Sequence, residues 1–171
     1  MIAGVAAAIS SKGASQVIIA EGKTFGTGRY TFSMADIKSA VKGIKNVSFR
    51  YLDEEILEEI EIDNPYIPNH KVKYPKKLFL DEIDYFISLP KLKANNYAGI
   101  TLSIKNSFGI IPKKERLKYH DDRLHKYLAD LTLIRKPDLV ITDAIISGEG
   151  NGPGETGGDK HDYCGKKPSR C

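Results

Sequence analysis

The chain has 171 residues, 41% hydrophobic and 28% charged, which is enough apolar material for a buried core and excludes a chain disordered throughout. No apolar run approaches the roughly 18 residues that span a bilayer, and the apolar start (residues 1–9) lacks the basic leader of a secretory signal, so a soluble, cytoplasmic chain is expected. The two cysteines, Cys164 and Cys171, exclude a disulfide framework and any four-thiolate iron–sulfur or zinc site ligated by this chain alone.

Residues 2–11 read as a helix with Gly13 as its stop. Gln16, Val17, Ile18, Ile19 and Ala20 form a short β-branched run, hence a buried strand. Residues 21–30 carry Gly22, Gly26 and Gly28 and are expected to be a loop leaving that strand's carboxyl end. Ser33 is placed to cap a helix over residues 34–42, stopped by Gly43. A second strand is expected over residues 47–52. Ile56, Ile60 and Ile62, set among glutamates, suit a solvent-facing strand or a short helix equally.

Pro65, Pro68 and Pro75 make residues 64–77 a loop with extended pieces. One helical turn is expected over 78–84, then a buried strand over 85–89 halted by Pro90. Leu124, Leu128, Leu131 and Ile134 fall at helical spacing within residues 121–135, and Pro137 ends that helix. Residues 138–146 are the strongest strand of the chain and feed a glycine-rich loop over 148–158. Apolar strands alternating with helices give an α/β fold, a largely parallel sheet flanked by helices. Residues 1–158 are expected to form one domain and 159–171 a polar, disordered tail.

Ligands of open α/β sheets bind outside the carboxyl ends of the strands. Three loops are expected there: residues 21–30, 90–99 and 147–158. The charge pattern singles out the middle one. Between residues 91 and 118 stand Lys91, Lys93, Lys105, Lys113, Lys114, Arg116 and Lys118 against Glu115 alone, a stretch suited to a small anion. The alternative is a solvated loop face. Trp is absent, and Tyr97, Phe108 and Tyr119 are scattered rather than interleaved with the bases, so nucleic acid is not an expected partner.

Lys105 lies among Ile100, Leu102, Ile104 and Phe108, a setting that desolvates an amine and raises its nucleophilicity. The alternative is that its stem runs along apolar surface while the ammonium stays in water. His120 suits proton transfer or metal binding, and Asp143 with Glu149 offers carboxylates at the last loop. The expected catalytic residues are Lys105 and His120. Lys91, Lys93, Asn95, Asn106 and Asn151 are expected to contact substrate, and His120, Asp143 and Glu149 to hold any metal. His70 and His161 sit in polar sequence with no ligand pattern.

The stretches LPKLKANNYAGITLSIKNSFGIIPKKERLKYH (89–120) and LADLTLIRKPDLVITDAIISGEGNGP (128–153), preceded by VIIAEG, resemble the DUF362 family. The resemblance implies a partial domain, lacking the family's first strand and its later strands. It also implies a ferredoxin-like module as a partner, and Asn95 stands where the family usually has histidine. A second, local resemblance is to the nickel-pincer lactate racemases, through Asn95, Lys105 and His120 around YAGITLSIKN. That likeness implies Lys105 as the covalent anchor of the cofactor and His120 as the nickel ligand, with the first base missing. The basic stretch and the three strand-end loops point to an enzyme domain for a small carboxylate-type anion; the alternatives are a non-catalytic module that docks a redox partner, or an inactive fragment.

Overall fold

The computed structural model describes residues 1–23, 28–95 and 97–148. The chain divides into two compact units. The first comprises Met1–Glu61, Lys71–Glu82 and Gly109–Leu117; the second comprises Ile62–His70, Ile83–Phe108 and the chain from Lys118 onward.

The first unit opens with helix α1 (Ile2–Ser11), whose alanine-rich sequence carries little side-chain entropy cost. It ends where Gly13 takes φ +92°, a conformation that favours glycine. Strand β1 (Val17–Glu21) follows and pairs in parallel with β2 (Val47–Tyr51), Val17 opposite Val47 through Glu21 opposite Tyr51. Ala6, Val17 and Val41 form a small core with Ile2, Ile9, Ile19 and Phe49 packed against it. A second cluster gathers Phe32, Ile37 and Tyr51.

Two helical segments separate β1 from β2, α2 (Gly28–Met34) and α3 (Ile37–Ala40). Sequence reasoning gave one helix over 34–42. Helix instead covers Gly28–Met34, with the Asp53 carboxylate accepting the Gly28 N–H at 3.0 Å, and it breaks at Asp36, which takes φ 48°. Strands β3 (Glu58–Glu61) and β4 (Lys71–Tyr74) pair antiparallel, which settles the glutamate-rich stretch as strand. A wide π-type turn (Lys77–Glu82) and helix α5 (Lys113–Leu117) complete this unit.

Gly22 requires its lack of a side chain. A Cβ there would lie 2.2 Å from the Gly109 carbonyl oxygen, a backbone atom that no side-chain rotation can clear.

The second unit carries the remaining strands. β5 (Ile87–Ser88) pairs in parallel with β8 (Leu139–Val140), and β6 (Lys91–Asn95) lies between β7 (Gly99–Thr101, antiparallel) and β9 (Asp143–Gly148, parallel). The strand expected over 85–89 therefore does not stop at Pro90. It is interrupted there, because proline has no N–H to donate, and resumes as β6. The expected strand 138–146 is interrupted beside it. Ile141 N–H donates to the Ser88 carbonyl at 3.0 Å and Asp143 N–H to the Pro90 carbonyl at 2.9 Å, which carries the pairing across the break.

Lys91 and Lys93 are consequently strand residues rather than loop residues. Helices α4 (Ser103–Ser107) and α6 (Leu124–Ile134) belong to the same unit. The fold is mixed α/β. Its sheets are small and only partly parallel, since β3–β4 and β6–β7 run antiparallel. The tail expected over 159–171 lies outside the described residues.

Candidate functional site: an aromatic and histidine cluster in the second unit

β6, β7, α4 and the turn before α6 bring most of the expected residues into one region. Lys91 and Lys93 are exposed on β6, where Lys91 is registered with Asp143 and Lys93 with Thr101 and Gly148. Asn95 ends the strand. Its side-chain oxygen accepts the Tyr97 N–H at 3.2 Å and the Ala98 N–H at 2.9 Å, a side-chain-closed turn of the kind asparagine favours. That turn sets Tyr97, whose ring meets the His120 ring edge-on at 5.2 Å between centroids.

Lys105 and His120 meet on a shared neighbour. The Lys105 ammonium stands over the Phe108 ring, 4.2 Å from its centroid, and the His120 ring lies 5.2 Å from the same centroid. Both side chains are half-buried. A cation over an aromatic face is held by the ring quadrupole, about 0.5–1 kcal/mol where exposed and more as water is removed. Asn106, one residue on, donates from Nδ2 to Ser88 Oγ at 3.1 Å, tying α4 to β5.

Asp143 is half-buried at the start of β9, and its carboxylate accepts the Ile145 N–H at 3.2 Å. Glu149 and Asn151 lie outside the described residues. Among the described residues, no group of three or more His, Cys, Asp and Glu side chains is arranged to hold a metal ion.

Sequence reasoning passed over the most deeply buried polar pair. His70 is 3% exposed and Asp130 0%. Asp130 Oδ2 lies 2.6 Å from His70 Nδ1, and the same carboxylate accepts the Tyr66 N–H at 2.6 Å and the Ile67 N–H at 3.2 Å. Because an ionised carboxylate only accepts, Nδ1 carries the proton in this pair. The His70 ring sits 4.9 Å from Tyr127 and 5.5 Å from Tyr119, which stack on each other at 3.8 Å. Tyr127 in turn meets Phe108 at 5.5 Å, so the rings form one continuous cluster from His70 to His120.

A signal for this pair did exist. Asp130 follows Tyr127 by three residues on the stripe Leu124, Tyr127, Leu128, Leu131, and a carboxylate on a helix's apolar face needs a buried partner.

The turn that carries Tyr119 and His120 is braced at its far side. Arg123 hydrogen-bonds Asp121 through its side chain (Nη2 to Oδ2, 2.7 Å) and its N–H (2.9 Å), and donates to the Lys118 carbonyl at 2.8 Å. The Arg123 guanidinium, followed by its backbone N–H, holds the Asp121 carboxyl below its usual range, and Asp121 raises Arg123 in return. A depressed carboxyl stabilises the fold above its unfolded value, and that contribution disappears as pH falls through the lower folded value. The Arg123 N–H and Nε–H resonances should therefore stay constant from neutral pH to about pH 4 and move only in stronger acid. A transition centred at the ordinary aspartate value, about pH 4, would show that the brace is absent in solution.

These features define a mixed α/β protein, with no membrane-crossing helix among the described residues, whose second unit gathers a lysine and two histidines around aromatic rings. The family model described as a domain of unknown function, DUF362, matches residues 1–163, and the chain belongs to that family. Over 78 residues it is 36% identical to a thylakoid-associated protein of Synechocystis sp., a stretch covering 42% of this chain and 24% of that relative. The match thus spans about a quarter of the relative's own length. No solved structure matches the chain.

Proposed function

We propose that the chain is an enzyme domain, acting in the cytoplasm, that takes a small carboxylate-type anion at Lys105 and His120. The observation that carries this reading is the meeting of the lysine ammonium and the imidazole on one Phe108 ring, in a stretch of sequence dominated by bases. In this arrangement Lys105 supplies fixed positive charge partly shielded from water, where attraction to an anion is stronger than in bulk solvent. His120 supplies an imidazole, a group able to give and take a proton. Lys91 and Lys93 on β6 draw the anion in. Asn95 acts through the turn that sets Tyr97 against His120, and Asn106 through its bond to Ser88.

Lys105 and His120 are also the two residues that the lactate racemase likeness assigns to a cofactor anchor and a nickel ligand. Among the described residues, no group of three or more His, Cys, Asp and Glu side chains completes a metal-binding set with them.

The test is a titration of the full chain with oxalate and acetate, with phosphate as the non-carboxylate anion. Oxalate should bind, and Lys105→Ala should weaken it about tenfold, in line with the loss of one charge-assisted contact of roughly 1.5 kcal/mol. His120→Ala should weaken it less. Equal oxalate affinity in wild type and Lys105→Ala overturns the reading.

A second reading has its own support. Lys91 and Lys93 are exposed and two residues apart, hence on one face of β6, which suits docking of an acidic, ferredoxin-type redox partner. Binding of a ferredoxin that weakens steeply with salt, and is lost in a Lys91→Glu, Lys93→Glu double variant, would favour it over the first.

A further inference from the structure

The Asp130–His70 pair leaves one atom unused. Nδ1 is committed to the carboxylate, while Nε2 is buried and has no hydrogen-bond partner among the described residues. In the neutral ring that nitrogen bears the lone pair, and a buried acceptor left unmatched costs about 1–3 kcal/mol. Three donors, two backbone N–H groups and the imidazole N–H, are directed at Asp130. The carboxylate therefore fixes the tautomer and the ring plane rather than offering itself to a ligand.

Around His70 stand aromatic faces. Tyr127 belongs to α6 and is buried, whereas Tyr119 is half-buried and lies in the turn of residues 118–123 that precedes α6. The Tyr119 ring stacks on Tyr127 at 3.8 Å with 25° between their planes. It is held on a turn rather than within a helix, with the Arg123 guanidinium 5.3 Å from its centroid.

We propose that His70 is the acceptor of a second ligand site, one that takes a neutral planar ring bearing an O–H or N–H donor, with Tyr119 as the lining that gives way. The lone pair at Nε2 selects the donor. The tyrosine faces select a ring over an aliphatic chain. The charged group beside His70, the Asp130 carboxylate, is already engaged by three donors, which selects a neutral molecule over the anion expected at Lys105.

The experiment uses the full chain with 15N-labelled histidine, read by long-range 1H–15N spectra at about pH 8, where an ordinary imidazole is neutral. The probes are p-cresol, which carries the donor, and toluene, which has nearly the same shape without it. The expected result is Nδ1 protonated and Nε2 a bare acceptor, with the Nε2 resonance shifting saturably on addition of p-cresol and not of toluene. Tyr119→Ala, which removes the stacked ring, should bind p-cresol several-fold more tightly than wild type does. Three results overturn the proposal: a proton already on Nε2, equal response to toluene and p-cresol, or an Nε2 resonance that p-cresol leaves unmoved in both wild type and Tyr119→Ala. The wild-type spectra decide the matter even if the variant does not fold.

Discussion

Asp130→Ala is expected to lose about 3–5 kcal/mol of folding stability, the usual loss on removing one partner of a buried charged network. Three donors converge on that carboxylate, the Tyr66 and Ile67 N–H groups and His70 Nδ1. Alanine would leave all three facing a fully buried methyl, with no route to water, because His70 and residue 130 are closed off from solvent. Each orphaned donor costs about 1–3 kcal/mol before relaxation, so relaxation of the 62–70 segment must recover part of the loss. Asp130→Asn separates the shape of the residue from its charge. Its carbonyl can still accept one N–H, but its amide would point donors at the remaining ones. A cost of about 1–3 kcal/mol is expected, with the His70 proton moving from Nδ1 to Nε2 so that Nδ1 can accept from the new amide. Urea unfolding followed by circular dichroism gives both numbers, and an Asp130→Ala midpoint within error of wild type would show that the network is not formed in solution.

That network also shows where sequence reasoning reaches its limit. The α/β class was legible because β-branched runs such as Val17–Ile18–Ile19 and helical spacings such as Leu124–Leu128–Leu131 express one dominant local period each. Strand limits were less legible where partners set them. Pro90 looked terminal, yet a parallel neighbour carries the pairing past it through Asp143 N–H, and no property of residues 85–90 alone reports that neighbour. The helical stretch before Asp36 was missed for the same reason: the Gly28 N–H of α2 donates to Asp53, 25 residues away.

Among the site residues, Lys105 and His120 were readable as chemistry, and their shared contact with Phe108 is a fact of packing that spacing did not contain. Asn95 was expected to touch substrate, and its carboxamide oxygen closes the turn that sets Tyr97, a role its spacing did not contain. His70 gave no signal because its significance lies in Asp130, 60 residues on. Asp130 did give one, as the sole carboxylate on an otherwise apolar helix face.

In the first unit, Phe32→Ala should cost about 3–5 kcal/mol, the range for emptying a fully buried phenylalanine site. Phe32 is 0% exposed and packs with Ile37 and Tyr51. Its ring meets Phe49 edge-on at 5.4 Å and Tyr51 edge-on at 5.3 Å, so truncation removes two favourable ring pairs in addition to the buried area. The site has little freedom to collapse. Phe49 and Tyr51 are held in register on β2 against Ile19 and Glu21 of β1, and a strand cannot shift two side chains inward without breaking that ladder. Phe32→Leu keeps most of the volume and loses only the ring geometry, so it should cost roughly 1–1.5 kcal/mol. The ratio of the two losses is the informative quantity. A rigid site gives a large Ala effect and a small Leu effect. A loss below about 1.5 kcal/mol for Phe32→Ala, measured by urea unfolding, would mean that β2 relaxes into the vacated space and that the β1–β2 pairing is softer than its register implies.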